Sequence, residues 1–186
     1  EAELYFAQCI AIGKEYGDQR IVGYTLNDWG SLHIQTGDTA RAQPMFEESL
    51  TIFETLGEQF GVALGHFNLG NLMLENDQPE TARRHLYRAV KTALAIENMR
   101  LVAMALNGWA GYLLATAQYV ATAKVLGFAQ TLPSDEAEVS SNTSELLAEV
   151  QARLPAADFE AAVAWGQGAE LADVLQECVE NVKNAS

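Results

Sequence analysis

Residues 21–60 read IVGYTLNDWGSLHIQTGDTARAQPMFEESLTIFETLGEQF, and the same arrangement of residue types returns at intervals of forty residues. The clearest marks are three dipeptides at one phase, Trp29-Gly30, Leu69-Gly70 and Trp109-Ala110. Further positions keep this register: Val22, Val62 and Val102; Ala42 and Ala82; Phe46, Leu86 and Leu126. A fixed period of this length predicts a solenoid, because one such unit cannot bury its own apolar face and must stack on its neighbours.

Short polar turns recur at fixed phases between the apolar stretches. Examples are Thr36-Gly37-Asp38-Thr39 and Asn76-Asp77-Gln78-Pro79, in which Gly or Asn ends one helix and Asp or Thr caps the next. Apolar residues between the turns follow the i, i+3, i+4, i+7 spacing of an amphipathic helix. Together these patterns predict helices over 2–15, 19–35, 39–55, 59–75, 79–96, 99–115 and 119–131.

The forty-residue register ends near Leu132-Pro133, and the composition then becomes acidic and rich in alanine. Beyond Gln130 there are eleven acidic residues and two basic ones, Arg153 and Lys183. A solenoid needs a terminal element with a polar outer face. We therefore predict a repeat array over residues 1–132 and a helical capping segment over residues 133–186.

Charge and composition restrict the partners. The 186 residues carry a formal net charge of −14, which argues against nucleic acid or an anionic membrane as the main partner. The sequence has no apolar run of bilayer length and no secretory signal pattern, so we predict a cytoplasmic protein. Cys9 and Cys178 occupy apolar helical positions and are predicted to be buried free thiols. The start at Glu1, within a helical pattern, suggests a part of a longer protein.

The order of residues within each unit resembles the tetratricopeptide repeat, whose pattern runs Leu-Gly, Gly, Ala, Phe, Ala-Leu at the same spacings. The residues that carry the resemblance are Trp29-Gly30, Gly37, Ala42, Phe46 and Ser49-Leu50, with matching positions in the second unit. It covers about residues 2–131, although the usual repeat has thirty-four residues. The resemblance implies an all-α, right-handed α-solenoid of helical hairpins with a C-terminal helical cap. Small residues at positions 30, 42, 70 and 82 are expected where paired helices approach most closely.

A second resemblance lies towards the end of the chain. Residues 123–129, AKVLGFA, and residues 164–171, AWGQGAEL, are similar to the C-terminal region of bacterial LuxR-, AfsR- and MalT-like regulators. Ala172-Asp173-Val174 stands where that family often has Ser/Thr-x-Glu. The resemblance implies a sensor or partner-binding region that acts in signal transduction and transcription regulation. The sequence contains no Walker-type phosphate loop.

In the tetratricopeptide family the first helix of each hairpin lines a concave surface that binds peptides or proteins. The resemblance places the following residues on that surface: Tyr24, Asn27, Ser31, Phe67, Asn68, Asn71, Glu75 and Asn107. An asparagine amide both donates and accepts, so these side chains suit the backbone of an extended peptide. The alternative is that some of the asparagines hydrogen-bond between repeats.

Catalytic and metal chemistry are not indicated. His33, His66 and His85 have no ligand-type residue at metal spacing and are interpreted as helix-surface histidines. No nucleophile motif or phosphate loop occurs, so we predict no catalytic residues, no metal and no cofactor. The basic cluster at 83–91 is interpreted as pairing with glutamates at 47, 48 or 54; the alternative is docking of an anion or acidic peptide.

The sequence therefore predicts a non-catalytic interaction module that binds a protein or peptide, with no direct contact to nucleic acid or membrane. Two alternatives remain open at this point. One is a self-associating scaffold, which would form a homo-oligomer. The other is a sensor of a small effector, for which the available aromatic walls are Tyr24, Trp29, Phe67 and Trp109, although the two tryptophans lie at the core phase of the repeat.

Overall fold

The computed structural model describes residues 2–133 and 137–184, and all regular structure within these ranges is helical. The helices are α1 (Ala2–Glu15), α2 (Gln19–Gln35), α3 (Thr39–Leu56), α4 (Gln59–Glu75), α5 (Pro79–Ala95), α6 (Met99–Ala115), α7 (Tyr119–Ala129), α8 (Ala137–Gln151), α9 (Ala156–Gly168) and α10 (Leu171–Asn184). This confirms the predicted all-α hairpin array, and the first seven helices end within two residues of their predicted bounds.

The chain divides into two compact units, Glu1–Glu97 and Asn98–Ser186. In the first unit α2 pairs with α3 and α4 with α5, while α1 packs on α2 and α3 on α4. In the second unit α6 pairs with α7, α9 packs against α7, and α8 contacts both α6 and α7. The predicted division into residues 1–132 and 133–186 stays a prediction.

The helix ends repeat every twenty residues. Side chains at 18, 38, 58 and 98 accept a hydrogen bond from the backbone N–H three residues later and so cap α2, α3, α4 and α6. The residue before each cap has a positive φ: Gly17, Gly37 and Gly57, then Asp77, Glu97 and Ala117. Asn76 ends α4 as expected, but Asp77 does not cap α5: it adopts the left-handed conformation with φ 55°, and Gln78 precedes α5. Every helix and its turn in this stretch therefore occupy the same length of chain.

Glycines bring the two helices of each hairpin in the first unit together. A Cβ at Gly30 of α2 would lie 2.7 Å from Cε1 of Phe46 on α3, and a Cβ at Gly70 would lie 2.6 Å from Cγ of Leu86. Ala42 and Ala82, one helical turn before Phe46 and Leu86, are fully buried. The distances confirm that Gly30 and Gly70 mark the close approach of paired helices.

Consecutive hairpins meet through side chains of complementary size. Phe53 of α3 is fully buried, and its ring covers Gly61 of α4, where a Cβ would lie 2.5 Å from Cδ1 of Phe53. At the preceding junction the sizes are reversed: α1 contributes Gly13, where a Cβ would lie 2.8 Å from Cγ2 of the fully buried Val22 on α2. A large residue on one helix thus faces a small one on the next.

In the second unit two glycines let α7 and α9 cross in backbone contact. A Cβ at Gly127 would lie 2.5 Å from the carbonyl oxygen of Val163, and a Cβ at Gly166 would meet the carbonyl oxygen of Lys124 and lie 2.8 Å from the nitrogen of Phe128. Both glycines belong to the segments 123–129 and 164–171. The crossing gives a physical reason for glycine in these segments.

The two cysteines differ in environment. Cys178 of α10 is buried, and burial raises the pKa of its thiol to about 12. Cys9 was also expected to be buried, but it is exposed on α1. At its phase in α3, the hydroxyl of Ser49 donates to the backbone oxygen of Gly23 on α2, the first helix of its hairpin, and α1 has no such helix among the described residues.

Across residues 2–133 and 137–184, none of the helices combines the length and the apolar character that crossing a bilayer requires.

Candidate functional site

A hydrogen bond joins the first helices of the two hairpins in the first unit. Nδ2 of Asn68 on α4 donates to Oδ1 of Asn27 on α2 over 2.7 Å, and Asn27 is only 4 % exposed. On α2 the hydroxyl of Ser31 donates to the backbone oxygen of Asn27 at 3.1 Å. Asn27 therefore hydrogen-bonds between repeats, which is the role that the alternative interpretation of these asparagines describes.

Tyr24 is held by a charged pair at the start of α4. Its hydroxyl donates to Oε2 of Glu58 at 3.0 Å, and the same carboxylate caps α4 through the N–H of Gly61. The guanidinium of Arg20 lies 5.8 Å from the centre of the Tyr24 ring and 3.8 Å from Glu58. Burial and the Glu58 carboxylate raise the pKa of Tyr24. The hydroxyl is thus a committed donor, and the partly buried ring lies 4.7 Å from the ring of Phe53.

The part of α4 that follows Asn68 carries an amide that is available for hydrogen bonding. Asn71 is partly buried, and its amide makes no hydrogen bond with any described residue. The ring of Phe67 is also partly buried and lies one helical turn before Asn71. Partial burial raises the pKa of the exposed Glu75 carboxyl, one turn after Asn71. We call the residues Tyr24, Ser31, Phe67, Asn68, Asn71 and Glu75 the α2–α4 face.

Asn107 lies in the second unit and is buried, with 3 % of its surface exposed. The hydroxyl of Thr143 on α8 donates to its Oδ1 over 2.9 Å. Seven of the eight expected site residues therefore lie on α2 and α4, while Asn107 links α6 to α8. Asn107 is therefore buried and hydrogen-bonded within the second unit, and the repeat pattern did not indicate this contact.

The aromatic residues proposed as walls for a small effector take part in packing. Trp29 stacks on Phe6 of α1 with ring centres 5.9 Å apart. Trp109 is 1 % exposed, and its ring centre lies 5.2 Å from that of Tyr112. Packing of α1 on α2 accounts for Trp29, and near-complete burial accounts for Trp109.

A histidine pair inside the second hairpin was missed by the sequence interpretation. His66 of α4 is 3 % exposed, and its Nδ1 lies 3.0 Å from Nδ1 of His85 on α5. His33 is also buried, so the description of these residues as surface histidines was wrong. The forty-residue register could have indicated the pair. The positions equivalent to 66 are Leu26 and Leu106, and those equivalent to 85 are Met45 and Val125. Both histidines thus stand at positions where the other repeats have apolar residues.

The environment keeps this pair neutral. Burial, assisted by His85 and Arg88, lowers the pKa of His66 to about 4. The pKa of His85 is lowered by burial and by the charges of Arg88 and Arg84, against an opposing effect of Glu47. One ring therefore donates through Nδ1–H and the other accepts, and adding a proton places a charge within the hairpin core.

We expect the pair to make stability depend on pH. The unfolded histidines take up protons below about pH 6.5, whereas folded His66 resists until about pH 4, so the unfolding free energy falls as pH decreases through this range. The double substitution His66→Leu, His85→Met inserts the residues of positions 26 and 45. Thermal unfolding is measured at pH 7.5 and at pH 5. Between these two pH values the unfolding free energy should fall by about 2 kcal/mol less in the variant than in the wild type. Equal losses would contradict this prediction.

The basic cluster does not pair as expected. Arg83 pairs with Glu80 at 3.0 Å, and Arg84 donates to the hydroxyl of Thr81 at 3.4 Å, both within α5. No ion pair joins this cluster to the glutamates at 47, 48 or 54 among the described residues. The expected pairing is therefore wrong: the partners of Arg83 and Arg84 lie on their own helix, three residues earlier, rather than on α3.

Within the part of the chain that the structure describes, no group of three or more histidine, cysteine or acidic side chains is arranged to hold a metal ion. The sequence as a whole shows no significant match to a curated protein. Residues 21–95, which include nearly all of α2 and the whole of α3, α4 and α5, match the family model of the tetratricopeptide repeat, a repeat that generally mediates protein–protein interaction.

Proposed function

We propose that the α2–α4 face binds an extended peptide segment of a protein partner. The observation that carries the proposal is the partly exposed Asn71 amide, whose donor and acceptor are both unused among the described residues, next to the Phe67 ring. A peptide backbone needs one donor and one acceptor, and an apolar side chain of the peptide can pack on the ring. The hydrogen bond between Asn68 and the buried Asn27 supports the face, because it fixes the spacing of α2 and α4.

The wider role follows the resemblance of residues 123–129 and 164–171. We propose that the chain is the sensor or partner-binding part of a bacterial LuxR-, AfsR- or MalT-like regulator and acts in the cytoplasm without catalysis of its own. The glycine crossing of α7 and α9 supports this proposal, since Gly127 and Gly166 are part of the resembling segments. Binding on the α2–α4 face would shift the packing of the hairpins, and an attached domain would respond to that shift.

The test compares two asparagines of α4 and its turn. Peptides captured from a lysate by the wild type are identified and resynthesised, and their affinity is measured for Asn71→Ala and for Asn76→Ala. Asn76 is exposed but lies outside the α2–α4 face. We expect Asn71→Ala to weaken binding about tenfold, which corresponds to the loss of one or two hydrogen bonds. Asn76→Ala should change affinity less than twofold, and equal effects would refute the proposed face.

Self-association is a second candidate because α1 exposes an apolar surface. Leu4 is 62 % exposed, Tyr5 67 % and Ile12 54 %. Such side chains clustered on one helix favour contact with another apolar surface. Sedimentation at several concentrations should then detect a dimer that Ile12→Glu dissociates. A strict monomer at all concentrations removes this candidate.

A further inference from the structure

The second helix of the second hairpin carries a row of exposed basic residues. Arg84, Arg88 and Lys91 stand at i, i+4 and i+7 of α5, and Tyr87, which is 43 % exposed, lies in the same row. These four residues form what we call the α5 stripe, about 10 Å long at 1.5 Å per residue. The chain has 11 basic and 25 acidic residues overall, so three positive charges on one helical face are unusual in it.

The charges of the stripe are not neutralised within the structure. Arg20, Arg41, Arg83 and Arg153 each form an ion pair with a carboxylate. By contrast, Arg84 donates to the Thr81 hydroxyl, and none of Arg84, Arg88 and Lys91 forms an ion pair with a carboxylate of the described residues. The effect reaches the interior, because Arg88 and Arg84 help to lower the pKa of His85 while Glu47 opposes them only in part.

We infer that the α5 stripe is a docking surface for an acidic segment of a partner protein. Charge complementarity selects an anionic partner, and the Tyr87 ring gives that partner an apolar contact between the charges. The net charge of −14 repels a long polyanion such as nucleic acid, whereas a short acidic segment stays within about one Debye length of the stripe. The stripe lies on α5, apart from the α2–α4 face, so the two surfaces can be tested separately.

The experiment uses fluorescein-labelled octaglutamate as the probe and octaglutamine as the uncharged control, followed by fluorescence anisotropy in 100 mM salt. The wild-type chain should bind octaglutamate below about 1 mM, more weakly as salt rises, and should not bind octaglutamine. Arg88→Glu should weaken binding at least fivefold, and Arg88→Glu with Lys91→Glu should abolish it. All substituted side chains are exposed, and circular dichroism checks that the helices persist.

Lys14→Glu is the matched control, because Lys14 is exposed, lies on α1 and causes the same change in net charge. It should reduce affinity less than twofold. An equal loss in Lys14→Glu would show that the probe senses only total charge and would overturn the inference, as would a wild type that does not bind octaglutamate. A labelled oligothymidylate of twelve nucleotides is tested in the same way. If it binds as tightly as octaglutamate and Arg88→Glu weakens its binding equally, the assignment to a protein segment is overturned.

Discussion

Gly166→Ala is expected to cost at least about 3 kcal/mol of stability, the upper end of what an overpacked core substitution costs. The new Cβ would meet the backbone oxygen of Lys124 and lie 2.8 Å from the backbone nitrogen of Phe128. A side chain can rotate away from such a clash, but a helix backbone cannot. The whole of α9 would have to move off α7, its main neighbour in the second unit. Thermal denaturation should show the midpoint lowered by about 6–12 °C.

Gly168→Ala provides the control on the same helix. A Cβ there meets no atom within 4 Å, so the substitution adds the same methyl group without a clash. Because alanine favours the helix over glycine by roughly 0.5–1 kcal/mol, the control should be neutral or slightly stabilising. If both variants lose stability equally, the backbone contact of α7 and α9 is not what requires glycine at position 166.

Phe53→Ala is expected to destabilise the first unit by about 3–5 kcal/mol. The ring is fully buried, covers Gly61, and lies 4.7 Å from the ring of Tyr24. Removing it leaves a cavity where α2, α3 and α4 meet, and two glycines of the site, Gly23 and Gly61, have no side chain that could fill it. Denaturant unfolding of the variant measures the loss.

A second substitution tests whether the cause is lost volume. Gly61→Leu alone should also destabilise, because its Cβ would lie 2.5 Å from the Phe53 ring. In the double variant the leucine side chain would fill the space that the Phe53 ring occupies in the wild type. The double variant Phe53→Ala, Gly61→Leu should therefore recover most of the stability that each single change removes. Additive losses would show that size complementarity does not govern this junction.

The helices could be predicted closely because their ends depend on local chemistry. Turn residues and apolar spacing act within a few residues of one another, and the forty-residue register repeats each signal several times. Gly30 and Phe46 show that the register also identifies contacts, since their phases mark the approach of paired helices. Asp77 does not cap α5 as predicted, because it adopts the left-handed conformation, which a short polar side chain tolerates.

Contacts between side chains could not be predicted in the same way. The partners His66 and His85 are nineteen residues apart, and only the helix pairing brings their rings within 3.0 Å. The hydrogen bond of Asn107 involves Thr143, which lies beyond the end of the forty-residue register. A long flexible side chain such as that of Arg84 can reach several neighbours, and the pattern of charges in the sequence does not identify the partner that it contacts. These contacts depend on tertiary packing rather than on local propensity.

The reversed sizes at successive junctions have a consequence for the order in which hairpins assemble. If α1 met α4 instead of α2, Gly13 would face Gly61 and leave a void. If α3 met α2 in the place of α1, the Phe53 ring would compete with Val22 for the space over Gly13. Helices of nearly equal length and similar caps are otherwise interchangeable during folding. Large-to-small matching therefore distinguishes the native neighbour from misassembled ones and disfavours exchange of hairpins between chains.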